Sequence, residues 1–407
     1  MVWRLAWRGL WRNKRRTAIT VSSIAFGLAV ALFFVSLGEG VYRRMIDLAV
    51  NMQAGRLTLE RAGYRAAPAV GLYLDGAEAS RRRLAGLPGV VRAKLLVLGQ
   101  GMAQTAGNSA GVEVMGVEPA LEAAASPLAR RITAGRYLKQ GDRGKVVVGR
   151  SLAQRLHLSP GRKLVITVNT AQGELTNMLF RVAGIFHTGG QEVDAALLQM
   201  PIAQARALFG LPAGAASQVG LVLADYNLQE RAAALAAPLV PRGAVLLSWR
   251  EVLPELASYI RLDRTSNHVF QALLIALVLF TIFNTLLMSV MEREREFAVL
   301  MSLGAPPSLL SRQIMAESLF LGLLGTTAGL ALGAGAAGAM ARWGLDLSHF
   351  LSEGITISGV SLGSRLKSAL TWGQVITLGG LVLAATLLLS VFPVWRARRV
   401  RLVEELR

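Results

Sequence analysis

The sequence predicts an α-helical membrane protein with four transmembrane helices and a mixed α/β extracytoplasmic domain inserted between helices 1 and 2. Three observations predict it. Of the 407 residues 53% are hydrophobic and only 17% charged, and the charges are gathered into blocks. Four runs, residues 17–38, 269–291, 318–341 and 368–395, contain no Asp, Glu, Lys or Arg. Each is long enough for hydrocarbon, which needs about 20 helical residues. Between the first and second of them lie 230 residues of mixed polarity, residues 39–268.

Residues 1–17 read as a basic amphipathic helix. Trp3, Trp7 and Trp11 recur every four residues, with Arg4, Arg8 and Arg12 one position later. On a helix this places an aromatic stripe beside a basic one. Tryptophan prefers the headgroup level and arginine reaches lipid phosphates, so a helix lying along the inner membrane surface fits, as does a plain positive-inside flank. The apolar run that follows is too long for a signal-peptide core and has no convincing cleavage site near Gly38–Gly40, so we expect it to remain as an anchor.

The predicted order is then the first span at 18–38, the extracytoplasmic domain at 39–268, the second span at 269–291, a cytoplasmic elbow at 292–317 and the third span at 318–341. An extracytoplasmic loop at 342–370, the fourth span at 371–395 and a cytoplasmic tail at 396–407 complete it. Orientation follows from short basic flanks, which resist translocation. Six positive charges and no negative one precede the first span, and five arginines against two glutamates follow the last. Both termini are therefore expected in the cytoplasm.

The formal charge of +19 partitions into six from the N-terminus, three from the tail and ten from the 39–268 segment, where 27 Lys and Arg face 17 Asp and Glu. These basic residues are scattered and lack an aromatic platform, which argues against nucleic acid. Cysteine is absent, so disulfides, thiol catalysis and zinc-thiolate sites are excluded.

Within 39–268, short β-branched runs separated by Gly, Pro and Asn predict strands at 56–60, 90–98, 111–117, 145–148, 163–168, 178–185, 219–223 and 245–248. Helices are expected at 79–85, 150–156, 202–209 and 228–236. One large domain or two subdomains fit this length. Strands from its two ends should meet, because the chain leaves and re-enters the membrane through neighbouring helices. In the third span, Gly325, Gly329 and Gly333 follow one another at four-residue spacing, a pattern that lets two membrane helices approach closely.

Enzymatic equipment is missing. The four histidines, His157, His187, His268 and His349, are isolated and form no metal-ligand pattern. Ser151 lacks the second glycine of a nucleophile elbow, and no phosphate-binding GxxxxGK[ST] occurs. The spans contain no ionisable residue, which argues against an ion or proton path. Nucleotide hydrolysis, if it drives this protein, belongs to another chain.

The segment after the second span is more informative. Alternating charges (292–296) lead to an apolar patch, then to the break Gly304-Ala305-Pro306-Pro307, then to a short amphipathic helix entering the third span. The two prolines suit a first helical turn. A rigid elbow that docks into a soluble partner and a plain connecting loop with capping charges both fit this pattern.

At this segment the chain resembles permeases of the MacB/FtsX-like ABC transporter superfamily. The resemblance covers nearly the whole chain: the basic flank LAWRGLWRNKRR (5–16), one span, a large outer domain, three further spans, and the specific motif NTLLMSVMEREREFAVLMSLGA (284–305). It implies that the outer domain is a MacB-type periplasmic core domain and that the elbow contacts an ATPase through Glu294, Glu296, Gly304, Ala305, Pro306, Ser308, Arg312 and Gln313. The outer pieces VMGVEP (114–119), ITAGRY (132–137), VVGRSLAQRLHL (147–158) and VAGIFHTG (182–189) with Asp194 look most like lipoprotein-releasing permeases, and more loosely like efflux permeases. Unlike macrolide exporters of the MacB type, the chain carries no fused ATPase domain.

The resemblance implies a non-catalytic subunit of the bacterial inner membrane, without cofactor of its own. ATP and Mg would be bound by two copies of a partner ATPase, beside a second permease in a homo- or heterodimer. The expected cargo is an acylated lipoprotein drawn from the outer leaflet and handed to a periplasmic acceptor. Efflux of antibiotics or peptides, and mechanical signalling to a cell-wall hydrolase, are the alternatives within the superfamily. For acyl chains, Phe33, Phe34, Phe270, Phe280 and Phe283 are candidate lining of a cleft between the first two spans, each of them equally able to face lipid.

Overall fold

The structure, a computed structural model, describes residues 2–346, 356–357, 360–361 and 365–398. These form two compact units. One combines the N-terminal segment through Arg43 with the segments that begin at Ile260 and Arg365, and the other is built on Arg44–Tyr259.

Among the described residues four helices are long and apolar enough to cross a membrane: Lys14–Met52, Pro254–Met291, Pro307–Trp343 and Trp372–Trp395. The first and second of these long helices outrun the uncharged stretches that predict them, so the boundaries expected at 38/39 and 268/269 fall in mid-helix. The physical reason is that loss of hydrocarbon character ends a span, not a helix. The charges beyond the first run are arranged helically, with Arg43 donating to Glu39 at 3.2 Å across one turn. The N-terminal basic segment is likewise divided, with one helix at Val2–Arg12 and the next beginning at Lys14. The amphipathic helix expected after the prolines is continuous with the third long helix, in which Pro307 occupies the first turn and Pro306 the N-cap.

The helical unit packs around Ile24, Leu28, Leu32, Val278, Ile282, Leu286, Leu321, Leu378 and Val382, drawn from all four long helices, with Leu10 of the N-terminal helix. Leu345–Asp346 and Arg365–Leu366 pair as a short antiparallel ribbon after the third long helix, as do Thr356–Ile357 and Val360–Ser361.

The α/β unit is built on one large sheet. Its ten strands are β1 Leu57–Arg61, β2 Val90–Gln104, β3 Ser109–Val117, β4 Ile132–Gly135, β5 Lys145–Gly149, β6 Lys163–Asn169, β7 Leu175–Phe186, β8 Leu197–Pro201, β9 Gln218–Leu223 and β10 Ala244–Ser248. They run in the order β10-β1-β9-β2-β3-β8-β5-β7-β4, and β6 bridges β2 and β7. The pairings therefore close a six-stranded ring, β2-β3-β8-β5-β7-β6, from which β9, β1 and β10 extend as an open sheet. The 15-residue β2 serves both parts, pairing with β9 through its first half and with β6 through its last residues. The strands at the two ends of the unit do meet, since β1 and β10 are antiparallel neighbours.

Strands β4 and β8 escape the sequence pattern. Ile132–Gly135 is too short to show an alternation, and Leu197–Pro201 is buried along its whole length, so it lacks a polar face. Phe186 and Phe209 are fully buried, each stabilising the unit by roughly 1.5–3 kcal/mol relative to exposure. Gly220 of β9 is required by a close approach: a Cβ there would sit 1.3 Å from the Ala54 carbonyl oxygen, just past the end of the first long helix.

Candidate functional site

The elbow is a helix, Glu294–Ser302, followed by a tight reversal. The amides of Gly304 and Ala305 donate back to the carbonyls of Met301 and Leu300, both at 3.0 Å. This is a helix C-terminal turn that needs a left-handed residue, and Gly304 supplies φ = +90°. Ala305 leads into Pro306, whose extended backbone caps the third long helix. Buried Leu310 and Ile314 pack with Val290 and Val394, fixing the elbow's inner side against the second and fourth long helices.

Its outer side carries Val299, Leu300, Leu303 and Leu309, and Leu303 is 78% exposed. Arg295, Ser308 and Arg312 are exposed beside them. The result is an apolar patch with a polar rim, the composition of a docking surface. Gln313 is half-buried and donates to Glu317 at 3.3 Å, so it faces inward. Glu296 is also engaged: it accepts from Arg12 and, at 3.2 Å, from Arg293. The Arg12 guanidinium, with Arg293, holds the Glu296 carboxyl below its usual range. The side chain of Glu294 lies outside the described residues.

Sequence reasoning missed the other half of this region. The N-terminal helix, Val2–Arg12, lies against the start of the third long helix, burying Ala6 and Leu10. Phe320 receives the edges of Trp3 and Trp7 at centroid distances of 5.7 and 5.3 Å. Arg16 donates to Glu292 at 2.5 Å and to Ser289 at 2.8 Å, and Arg293 donates to the buried Glu317 at 2.8 Å. A signal was present: a flank with six cations and no anion stands opposite an elbow bearing Glu292, Glu294 and Glu296.

Gly325, Gly329 and Gly333 of the third long helix face the first. An added Cβ would lie 2.6 Å from the Ile24 Cβ at Gly325, 2.9 Å from the Ala25 carbonyl oxygen at Gly329, and 3.1 Å from the Ala29 Cα at Gly333. At Gly329 and Gly333 backbone meets backbone, which gives dispersion contacts that lipid cannot match.

The five phenylalanines do not share one cleft. Phe34 and Phe270, 6.5 Å apart, line a cavity of about 420 Å³ between the first and second long helices, with Tyr42, Arg264 and His268 at its polar end. Phe33 and Phe34, with Phe26, Leu332 and Ala336, line a second groove of about 690 Å³ between the first and third long helices. Phe280 is 64% exposed, and Phe283 packs on Phe392 of the fourth long helix at 5.5 Å. Helix geometry explains the separation: at about 100° and 1.5 Å per residue, Phe283 points roughly 140° away from Phe270 and sits about 20 Å along the axis.

No group of three or more metal-ligating side chains occurs among the described residues. His187 meets Asp194 at 2.6 Å, and Asp194 also accepts from the backbone and hydroxyl of Thr188, so these residues of the VAGIFHTG segment hold a turn together. His157 contacts Asn108 at 2.9 Å, and His349 lies outside the described residues.

Two family patterns match the chain. The MacB-like periplasmic core domain covers residues 17–239, more than half of it, and the FtsX-like permease C-terminal family covers 269–402. Among similar proteins, the lipoprotein-releasing system transmembrane protein LolC of Neisseria meningitidis is 26% identical over 99% of this chain and 98% of its own. LolE of Haemophilus influenzae, from a system of the same name, is 23% identical over 71% of each chain. The macrolide export ATP-binding/permease protein MacB of Hyphomonas neptunium is 26% identical over 89% of this chain and 57% of its own. With a MacB-like core domain, an FtsX-like C-terminal part and four long apolar helices, the chain belongs to the MacB/FtsX-like family of ABC transporter permeases.

Proposed function

We propose that the protein is a permease subunit of an ATP-driven complex that extracts lipoproteins from the outer leaflet of the bacterial inner membrane and passes them to a periplasmic acceptor. The end-to-end match to a lipoprotein-releasing relative carries this reading. In it the α/β unit is the periplasmic domain inserted between the first and second spans, and both termini are cytoplasmic. The subunit itself catalyses nothing. ATP and Mg bind to two copies of a partner ATPase, and a second permease, identical or related, completes the complex.

The chain's own residues supply two functions. The exposed patch around Leu303, with Ser308 and Arg312, receives the ATPase at the elbow, and Gly304, Ala305 and Pro306 keep that elbow stiff. Two clefts, one containing Phe34 and Phe270 and the other Phe26 and Phe33, offer uncharged surface to acyl chains, while Arg264 and Tyr42 at the outer end suit the polar part of the cargo. Purification with the cognate ATPase, followed by mass spectrometry of co-purifying material, tests the reading. Recovery of acylated protein supports it. Its absence, together with ATPase stimulation by macrolides or peptides, would establish efflux instead, the reading favoured by the match to a macrolide exporter.

A further inference from the structure

We infer that the N-terminal helix is a working part of the coupling device: a strap that carries movement of the elbow into the first and third long helices. The inference rests on the proposed docking of an ATPase at the elbow and adds a transmission path behind it. Geometry carries the argument. This helix touches the elbow and both of the long helices to which the movement is passed. It meets the elbow through Arg12 and Glu296, and the third long helix through Trp3 and Trp7 on Phe320. Its C-terminal end is tied to the first long helix by the Thr17 hydroxyl, which donates to the Leu10 carbonyl at 2.6 Å in a buried position. One turn of chain further, Arg16 reaches the end of the second long helix at Ser289 and Glu292.

At the centre of these contacts stands Glu317, 8% exposed. Its carboxylate holds Arg293 of the elbow at 2.8 Å and Gln313 at 3.3 Å. A Cβ built on Gly9 would fall 2.7 Å from the same oxygen. Glycine at position 9 lets the helix settle on this carboxylate without moving it. Displacing the carboxylate would break the 2.8 Å bond that ties Arg293 of the elbow to the third long helix. An exposed pair such as Arg12–Glu296 adds little adhesion, so it sets register, while the packing of Ala6, Gly9, Leu10 and the tryptophans holds the helix in place. Gly9, Arg12 and Glu317 are positioning residues that act through the elbow and lie away from its exposed apolar patch.

The test uses the full complex with its ATPase. Gly9→Val and, separately, Arg12→Glu are expected to leave the ATPase co-purifying while the permease-dependent part of its activity falls about tenfold for Gly9→Val and severalfold for Arg12→Glu. Arg12→Lys, which keeps the charge opposite Glu296, should retain at least half of the coupling, a distinction between the two Arg12 variants that a general folding defect would not give. Nitroxide labels placed at Arg8→Cys and Ser302→Cys, both exposed, in a chain with no cysteine of its own, report strap and elbow directly. Their distance distribution should be the same without nucleotide and in the ATP-trapped state, and should broaden in Gly9→Val. A distance that changes between the two states, or a Gly9→Val complex that couples normally, overturns the inference. Loss of ATPase co-purification in Leu303→Glu reports separately on the docking, and the label distances in the isolated permease report on the strap whether or not the docking holds.

Discussion

Substituting Gly329 by valine drives a wedge between the first and third long helices, and the structure gives its size. The new Cβ would lie 2.9 Å from the Ala25 carbonyl oxygen and from the Leu28 Cβ, and 3.0 Å from the Ala25 Cα. Ordinary contacts between such atoms are about 3.5–4.0 Å, so the helices must separate by nearly 1 Å before the two further methyl groups are counted. Two of the three obstructing atoms are backbone and cannot turn aside. Overpacking of this kind costs about 1–3 kcal/mol, and the separation also weakens contacts at Gly325 and Gly333. Against this, valine gains a few tenths of a kcal/mol over glycine in helix propensity.

Gly335 and Gly338, in the same helix, provide the control, because an added Cβ meets nothing within 4 Å at either. There, Gly→Ala should be neutral or stabilising by up to about 1 kcal/mol. Thermal unfolding in detergent, followed by tryptophan fluorescence or a dye assay, should show Gly329→Val melting several degrees below the parent and Gly335→Ala at or above it. Equal melting of the two variants would refute the close-packing argument, since of the two positions only 329 brings an added Cβ against another helix.

Three further outcomes follow from the structure. Leu303→Glu places a charge on an apolar residue of the elbow that is 78% exposed; it should weaken ATPase co-purification at least tenfold while membrane insertion and thermal stability stay unchanged. In the α/β unit, Lys94 and Glu122 are buried 3.6 Å apart, Lys94 also donates to the Asn51 carbonyl, and burial pushes its ammonium pKa down. Lys94→Met leaves a buried carboxylate without its partner and should cost about 3–5 kcal/mol in denaturant unfolding, most of it recovered when Glu122→Leu is added. Asp142 accepts two 2.8 Å bonds from Arg136 and one of 3.0 Å from Lys145, and these hold its carboxyl well below the usual range. Its contribution is present above the unfolded value of about 3.9 and lost as pH falls through the lowered folded value. Asp142→Asn should therefore destabilise the unit at pH 7, and the difference from the parent should shrink steadily below about pH 4.

The sequence by itself determined what depends on solvent and on local geometry. Runs of uncharged residues announce helices that prefer hydrocarbon, because no side chain in them would resist the transfer. Eight of the ten strands were legible, since strands such as Lys163–Asn169 alternate buried and less buried residues, a pattern that can be read without a partner. The elbow's reversal was legible for a similar reason: Gly304 and the two prolines dictate backbone angles locally.

Tertiary structure alone decided which surfaces meet. Glu296 and Gln313 are both engaged within this chain, Glu296 by Arg12 from the far end of the sequence and Gln313 by Glu317 one helical turn away, and only the first of these contacts needed the tertiary structure. The phenylalanines divide among two clefts and a contact with the fourth long helix, because a helix distributes residues around its axis and only its neighbours determine which direction is a cleft. Strand β8 is buried on both faces and so left no alternation to read. Placing the first three turns of the chain against the elbow required long-range packing of Trp3, Trp7 and Phe320, about 310 residues apart, which no local pattern encodes.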